Sequence, residues 1–327
     1  MTLVDLKAVI LLCLMVGLVP RTTSHSSSGF FRSMVGGSDK AVHTYFDRYF
    51  EKEPLLIKFA DRSADSQQEW YNFFNSFITL QQVDAILRRN ASAVHLDTDP
   101  SPLAYGFGQD LFMGRSMIGE DGERWTSVPP LNRLAADQKS VVPGAVASGL
   151  ERGFSLILNR LNMRHPPVTH ACHDIESFFG VQCNANLYVT PAATPDADNT
   201  QGLNQGFEIH WDEMESFAVQ VSGRKHWHVY HSMLQLPTPQ QRIKPRANEA
   251  GVPSMDLFLG AGDVLYFPRG WMHDARTFSS DSMHVTIGIM AERGTYALLL
   301  HNVVEEAAAA ADTTNNKNHG HEEDRND

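Results

Sequence analysis

The chain has 327 residues and a formal net charge of −11, from 27 Lys+Arg against 38 Asp+Glu, with 42% hydrophobic residues. That length suits one large domain or two modest ones, each able to bury a core. The acid excess argues against a nucleic-acid partner, since phosphates are neutralised by clustered Lys and Arg. Three cysteines exclude a disulfide-built scaffold and a four-cysteine zinc site. Much of the charge is local: Glu305 to Asp327 holds seven acids and two bases, so the rest of the chain is only mildly acidic.

Met1 to Lys7 is weakly basic, and Ala8 to Val19 (AVILLCLMVGLV) follows without a charge. Twelve apolar residues fall short of the ~20 that cross a bilayer core, but they suit the apolar part of a secretory signal. Small residues at Thr22 and Ser24 fit a cut after Ser24. The expectation is a signal peptide over 1–24, no transmembrane span in the mature chain, and a place in the secretory pathway or ER lumen. Asn90-Ala91-Ser92 would then be a usable N-glycosylation sequon. Residues 25–39, rich in Ser and Gly, read as a flexible leader.

Residues 40–180 read as a helical lead-in with short strands. Val42, Tyr45, Phe46, Tyr49 and Phe50 recur at the spacing of one helix face. Glu53-Pro54 stops that helix, and Leu55 to Phe59 is a short apolar strand. Thr79 caps a second helix with Leu80, Val83, Ile86 and Leu87 on its inner face. Ala145 to Met163 reads as a further helix, and Cys172 to Phe179 as a shorter one. Cys172 and Cys183 could pair in an oxidising compartment or remain buried thiols, and spacing does not choose.

From Val181 the pattern changes to strands at Asn186–Thr190, Ser216–Val221, His226–Tyr230, Asp263–Phe267 and Met283–Ile289. Short strands with turns and no helices between them indicate an antiparallel sandwich or closed barrel. The fold class is therefore mainly β with flanking helices (α+β). The β core spans 181–294, and 295–327 reads as a helix over 295–312 followed by a disordered acidic tail.

The sharpest local feature is His210-Trp211-Asp212. On an extended strand residues i and i+2 share a face, so both side chains can reach one ion. Composition alone predicts about one His-x-Asp by chance, and His95-Leu96-Asp97 is another. Context separates them. His95 opens a turn-rich loop, whereas His210 and Asp212 precede a hairpin read as strand 216–221, turn Ser222-Gly223-Arg224-Lys225, strand 226–230. Tyr266 to Met272 (YFPRGWM) then runs through a tight turn onto His273. Two His and one carboxylate on one side of a metal is the arrangement of non-haem Fe(II) oxygenases.

These stretches resemble the JmjC/cupin-like oxygenases, and within them the ribosomal-oxygenase (histidyl-hydroxylase) group. The matching runs are NLYVTP at 186–191, QGFEIHWDEMESFAVQVSGRKHWHVY at 205–230 and GAGDVLYFPRGWMHDA at 260–275. Fainter likeness extends to 46–59, 77–89 and 119–126. The resemblance implies a double-stranded β-helix (jelly roll) with an N-terminal helical region. It implies Fe(II) ligands His210, Asp212 and His273, with Lys225 pairing the distal carboxylate of 2-oxoglutarate and Asn186 and Tyr188 lining the same pocket. It further implies O2 as oxidant and hydroxylation of a protein or peptide side chain, coupled to decarboxylation of 2-oxoglutarate to succinate. His226, His228 and His231 read as ordinary strand histidines, and Trp211 and Trp271 as barrel packing.

Three departures bear on that implication. The stretch after Ile289 is too short for the dimerisation region and winged helix that family members carry, which leaves the oligomeric state open. An insertion at Thr194–Asn204 lengthens the loop before the metal strand. The apparent signal peptide conflicts with the nuclear location of JmjC relatives, which stands as the alternative. Rival functions are a histone lysine demethylase, a cupin metalloenzyme that does not use 2-oxoglutarate, and a non-catalytic binding module.

Overall fold

The computed structural model describes residues 29–93, 110–118, 124–127, 143–193, 205–238, 241, 249–294 and 304. The expected signal peptide, the insertion at 194–204, the His95-Leu96-Asp97 motif beyond Ala93 and almost all of 295–327 lie outside those residues. Ten strands are described: β1 (Leu55–Ile57), β2 (Leu111–Ile118), β3 (Arg124–Ser127), β4 (Ser155–Leu158), β5 (Cys183–Thr190), β6 (Glu215–Val229), β7 (Met255–Gly260), β8 (Val264–Phe267), β9 (His273–Arg276) and β10 (Ser282–Ile289). The main sheet runs β1-β8-β6-β10-β5-β4-β2-β3, and β7 and β9 flank the far half of β6. All these pairings are antiparallel, and β6 belongs to both sheets. The chain thus adopts the double-stranded β-helix with flanking helices.

Side-chain alternation sorts the main sheet into two cores. Phe217, Val219, Val264, Tyr266, Val285 and Ile287 pack towards the helices. Ala218, Leu265 and Phe267 pack the other way, against Trp227, Val229 and Leu259 of the second sheet. This second, smaller core is the barrel interior.

The expected hairpin at 216–230 is instead one fifteen-residue strand. Ser222-Gly223 looks like a turn because glycine favours one, but here it makes a bulge. Gln220 pairs His284 while Ser222 pairs Met283, so Val221 is an extra residue in the ladder. The extra residue inverts the parity of the strand. Ser216, Ala218 and Gln220 are the buried inward set before it, and Lys225, Trp227 and Val229 after it. Gly223 has φ 68°, and a Cβ there would lie 1.8 Å from the Asp281 carbonyl oxygen.

The lead-in contains helices α1 (Phe30–Met34), α2 (Asp39–Thr44), α3 (Ala64–Phe74), α4 (Leu80–Ala93), α5 (Pro143–Glu151) and α6 (Pro166–Phe179). A π turn over Tyr45–Tyr49 extends α2 and buries Tyr45, in keeping with the aromatic stripe seen in the sequence. Thr79 caps α4 as expected. Its Oγ1 accepts from Gln82 N (3.2 Å) while Gln82 Oε1 accepts from Thr79 N (2.8 Å), a reciprocal capping box. The sequon residues Asn90 to Ser92 fall in the last turn of α4.

Two lead-in readings need correction. Part of the supposed flexible leader is α1, where Phe31 and Met34 are fully buried. Arg62 donates to the carbonyls of Ser33 (2.5 Å) and Met34 (2.8 Å), and Phe31 N donates to Asp174 (2.9 Å). The Ser/Gly content around FFRSM masks an apolar cluster too short for a periodicity reading. The helix expected over 145–163 ends with α5. Gly153, at φ 81°, turns the chain into β4, whose four residues are all buried. A short apolar run of that kind does not distinguish helix from strand. Cys172 and Cys183 are both free and buried.

Gly223→Ala should therefore destabilise the fold. The backbone strain alone is on the order of 1–3 kcal/mol, and the carbonyl clash adds to it. Urea denaturation of the variant against wild type measures this, and coincident midpoints would contradict the role given to the bulge.

Candidate metal centre

The segment 205–214 is held in place by its neighbours rather than by a strand of its own. Ser116 N donates to the Gln205 carbonyl (2.5 Å), and Gly270 N donates to the Asp212 carbonyl (2.9 Å). His210 and His273 exchange both backbone hydrogen bonds, 3.1 Å and 2.8 Å, in an isolated antiparallel bridge. The expected metal strand is thus a single bridge. It still places the two imidazoles side by side, with ring centroids 4.4 Å apart and planes tilted by 58°.

One nitrogen or oxygen from each of His210, Asp212 and His273 falls within 4.8 Å of the others. His210 Nδ1 lies 2.8 Å from the Glu208 carbonyl and His273 Nδ1 lies 3.1 Å from that of Trp271. A carbonyl only accepts, so each Nδ1 carries the proton and each Nε2 keeps its lone pair for a ligand bond. Burial, with His210 beside it, lowers the His273 imidazole to about 4, which keeps the ring neutral. Ser216 Oγ donates to Asp212 Oδ2 (3.1 Å), fixing the carboxylate. Phe267 packs on the His273 ring at 4.2 Å between centroids.

Lys225 is buried in the wall of the same cavity and donates to Thr190 Oγ1 (3.2 Å). Burial alone pulls its ammonium down from 10.5 to about 7. Among the described residues no carboxylate pairs with it. Lys225 thus lies within strand β6 rather than in a turn, with its ammonium inside the barrel.

Tyr188 lines the cavity and stacks on His284 at 4.7 Å. Burial and the nearby Asp212 raise its phenol well above the ordinary value. Asn186 shares the face of β5 but does not line the cavity, which corrects the expectation that it would. Its side chain bonds Tyr188, and its Oδ1 accepts from Arg160 N (3.0 Å). Sequence reasoning passed over Thr190, Ser155, Trp227 and His284, all in the cavity wall. For Thr190 the signal was available: it lies two residues beyond Tyr188 on the same face of a strand. Trp271 packs against the inner core, as expected of it.

A double-stranded β-helix that gathers two imidazoles, a carboxylate and a buried lysine around one cavity is built as a metal-dependent enzyme site. Residues 160–296 match the family described as the JmjC domain. The chain is 28% identical over 262 residues to the bifunctional lysine-specific demethylase and histidyl-hydroxylase NO66 of Drosophila persimilis, covering 80% of this chain and 32% of that one. It is 29% identical to ribosomal oxygenase 1 of Danio rerio, covering 75% of this chain and 38% of that one. The chain therefore spans about a third of the length of these relatives. Among solved structures it is similar to the Escherichia coli ribosomal oxygenase YcfD, at 16% identity and a TM-score of 0.43, over 76% of this chain and 50% of that one.

The lysine gives a test that needs no metal. Between about pH 7 and 10.5 the unfolded chain holds a proton that folded Lys225 has released, so stability rises with pH across that window. Lys225→Met should be more stable than wild type below pH 7, with an advantage that shrinks by about 2–5 kcal/mol towards pH 10. Urea titrations of both proteins at pH 6 and pH 9.5 give the difference. A difference independent of pH would contradict the buried, unpaired charge.

Proposed function

We propose that the chain is an Fe(II)- and 2-oxoglutarate-dependent oxygenase that hydroxylates a protein side chain. The observation that carries the reading is Lys225: a buried ammonium, without a carboxylate among the described residues, in the same cavity as His210, Asp212 and His273. A cupin site that uses the metal alone has no need of such a cation. A dicarboxylate with one end at the metal supplies the missing anion at the other.

The residues present fit both groups. His210 and His273 offer Nε2 lone pairs, because their Nδ1 protons are held by carbonyls, and Asp212 offers a fixed carboxylate. The Lys225 ammonium would bind the far carboxylate, with the Thr190 hydroxyl beside it. Bound there, Fe(II), 2-oxoglutarate and O2 would supply the chemistry that places oxygen on a substrate C–H bond. Phe267 and Trp227 wall the His273 side with aromatic surface and exclude water from it.

The names of the relatives include both histidyl-hydroxylase and lysine-specific demethylase, and both name an amino-acid side chain as the target. The mild acidity of the chain outside its last residues suits a protein or peptide partner better than nucleic acid. The apolar run Ala8–Val19 supports a place in the secretory pathway. Expression with a C-terminal tag tests it: recovery of the chain from the nucleus would overturn that placement.

With Fe(II), O2 and 2-oxoglutarate the purified chain should form succinate, at least slowly, without a protein substrate. Asp212→Ala should abolish turnover. Lys225→Ala should raise the 2-oxoglutarate KM by 10-fold or more, as loss of a charge-assisted contact does. Mass spectrometry of partners trapped on the Asp212→Ala protein and then exposed to wild type should reveal a singly oxygenated product. Formaldehyde release would mark demethylation instead, and wild type with no iron or 2-oxoglutarate binding would falsify the proposal.

A further inference from the structure

We propose that His226, His228 and Asp256 form a second metal site, for a borderline divalent cation such as Zn(II), on the outer wall of the barrel. It is separate from the centre at His210 and does not depend on the function proposed for that centre.

The bulge in β6 makes the placement. Lys225, Trp227 and Val229 point inward beyond it, so His226 and His228 share the outer face of the same strand. On the neighbouring strand β7, Asp256 is the direct cross-strand partner of His228. His226 Nε2 lies 2.5 Å from Asp256 Oδ1, and His228 Nε2 lies 3.8 Å from Asp256 Oδ2. One donor atom from each of the three residues falls within 4.8 Å of the others.

Both imidazoles are held before any ion arrives. His226 stacks on Phe258 at 4.4 Å between centroids and 13° between planes. His228 Nδ1 lies 3.2 Å from Asp274 Oδ1, and Asp274 is itself held by the Tyr230 hydroxyl (2.8 Å) and Arg276 (2.6 Å). His228 Nδ1 thus sits between Asp274 and the Arg276 guanidinium (3.3 Å), and its Nε2 faces Asp256. This carboxylate–histidine arrangement is the usual support of a metal-bound imidazole.

The gap between His228 Nε2 and Asp256 Oδ2 is too long for a hydrogen bond and close to the separation of two ligands on one ion. Zinc bonds of roughly 2.0–2.2 Å in a tetrahedron place neighbouring donors about 3.4 Å apart. Binding would displace the proton that His226 and Asp256 share and open their 2.5 Å contact towards that spacing. Two imidazoles and one carboxylate suit Zn(II) better than Mg(II) or Ca(II), which prefer oxygen donors. Asp256 is exposed, so solvent can complete the coordination.

Zinc titration of the tag-free full chain, with bound metal counted after gel filtration, tests the site. Wild type should bind one more equivalent of Zn(II) than the His226→Asn/His228→Asn double variant. Asp256→Asn, on an exposed side chain that the core does not need, should weaken the outer site at least tenfold. Asp212→Ala, which acts on the inner centre, should leave the extra equivalent in place. Substituting Co(II) for Zn(II) should give a visible absorption band that the outer variants lose and Asp212→Ala retains. Equal zinc counts for wild type and Asp256→Asn at limiting metal, together with an unchanged cobalt spectrum, overturn the proposal whether or not the double variant folds.

Discussion

The extra residue at Val221 decides what the barrel can do. A strand that crosses between two sheets must alternate throughout, so a single insertion exchanges its inner and outer sets. Before the bulge β6 contributes small residues to the interior at Ser216 and Ala218. After it the strand contributes Lys225 and Trp227. Without the insertion Lys225 would face solvent, while His226 and His228 would fill the cavity beside His273. Gly223 is what allows the chain to take that step, since its φ of 68° and the nearby Asp281 carbonyl leave no room for a side chain.

The electrostatics of the interior follow from this placement. The barrel buries a lysine whose described surroundings hold no compensating acid, and it buries His273 in a neutral state. Both are costs of burial that a ligand would relieve, one by bringing an anion and the other by bringing a cation. The fold carries the cost through its other core. Phe31, Tyr45, Phe46, Phe178 and Phe179 pack as an aromatic cluster against the helix-facing side of the main sheet. Stability is thus supplied on one face of the sheet while the other face holds unpaired charge.

The three residues of the candidate metal centre were legible because they sit in short stretches with strong local character. His210 and Asp212 are two apart, and His273 ends a strand and turn. The antiparallel character of the chain from Val181 onward was legible from strand length and spacing. Lys225 was identified through resemblance and misplaced in structure, because Ser-Gly-Arg-Lys has the composition of a turn and a bulge uses the same residues. The buried strand β4 was read as helix for want of periodicity, and α1 was hidden by the Ser and Gly around it. Asn186 shows a different limit. The resemblance put it on the pocket side of its strand, but only the three-dimensional surroundings show that Arg160 and Tyr188 engage its amide.

Strand β9 links the two clusters of ligands. His273 and Asp274 are consecutive and therefore point to opposite sides of the wall, one beside His210 and the other against His228. His273 is anchored by its backbone bridge to His210, and Asp274 by Tyr230 and Arg276. A shift of β9 along β6 would misplace both at once, because the two strands pair residue for residue from His226 to Val229. Precision at the inner centre thus depends on polar contacts outside the cavity. That dependence explains how an exposed wall of a barrel can hold so ordered a set of side chains: the network around Asp274 fixes the strand that carries His273.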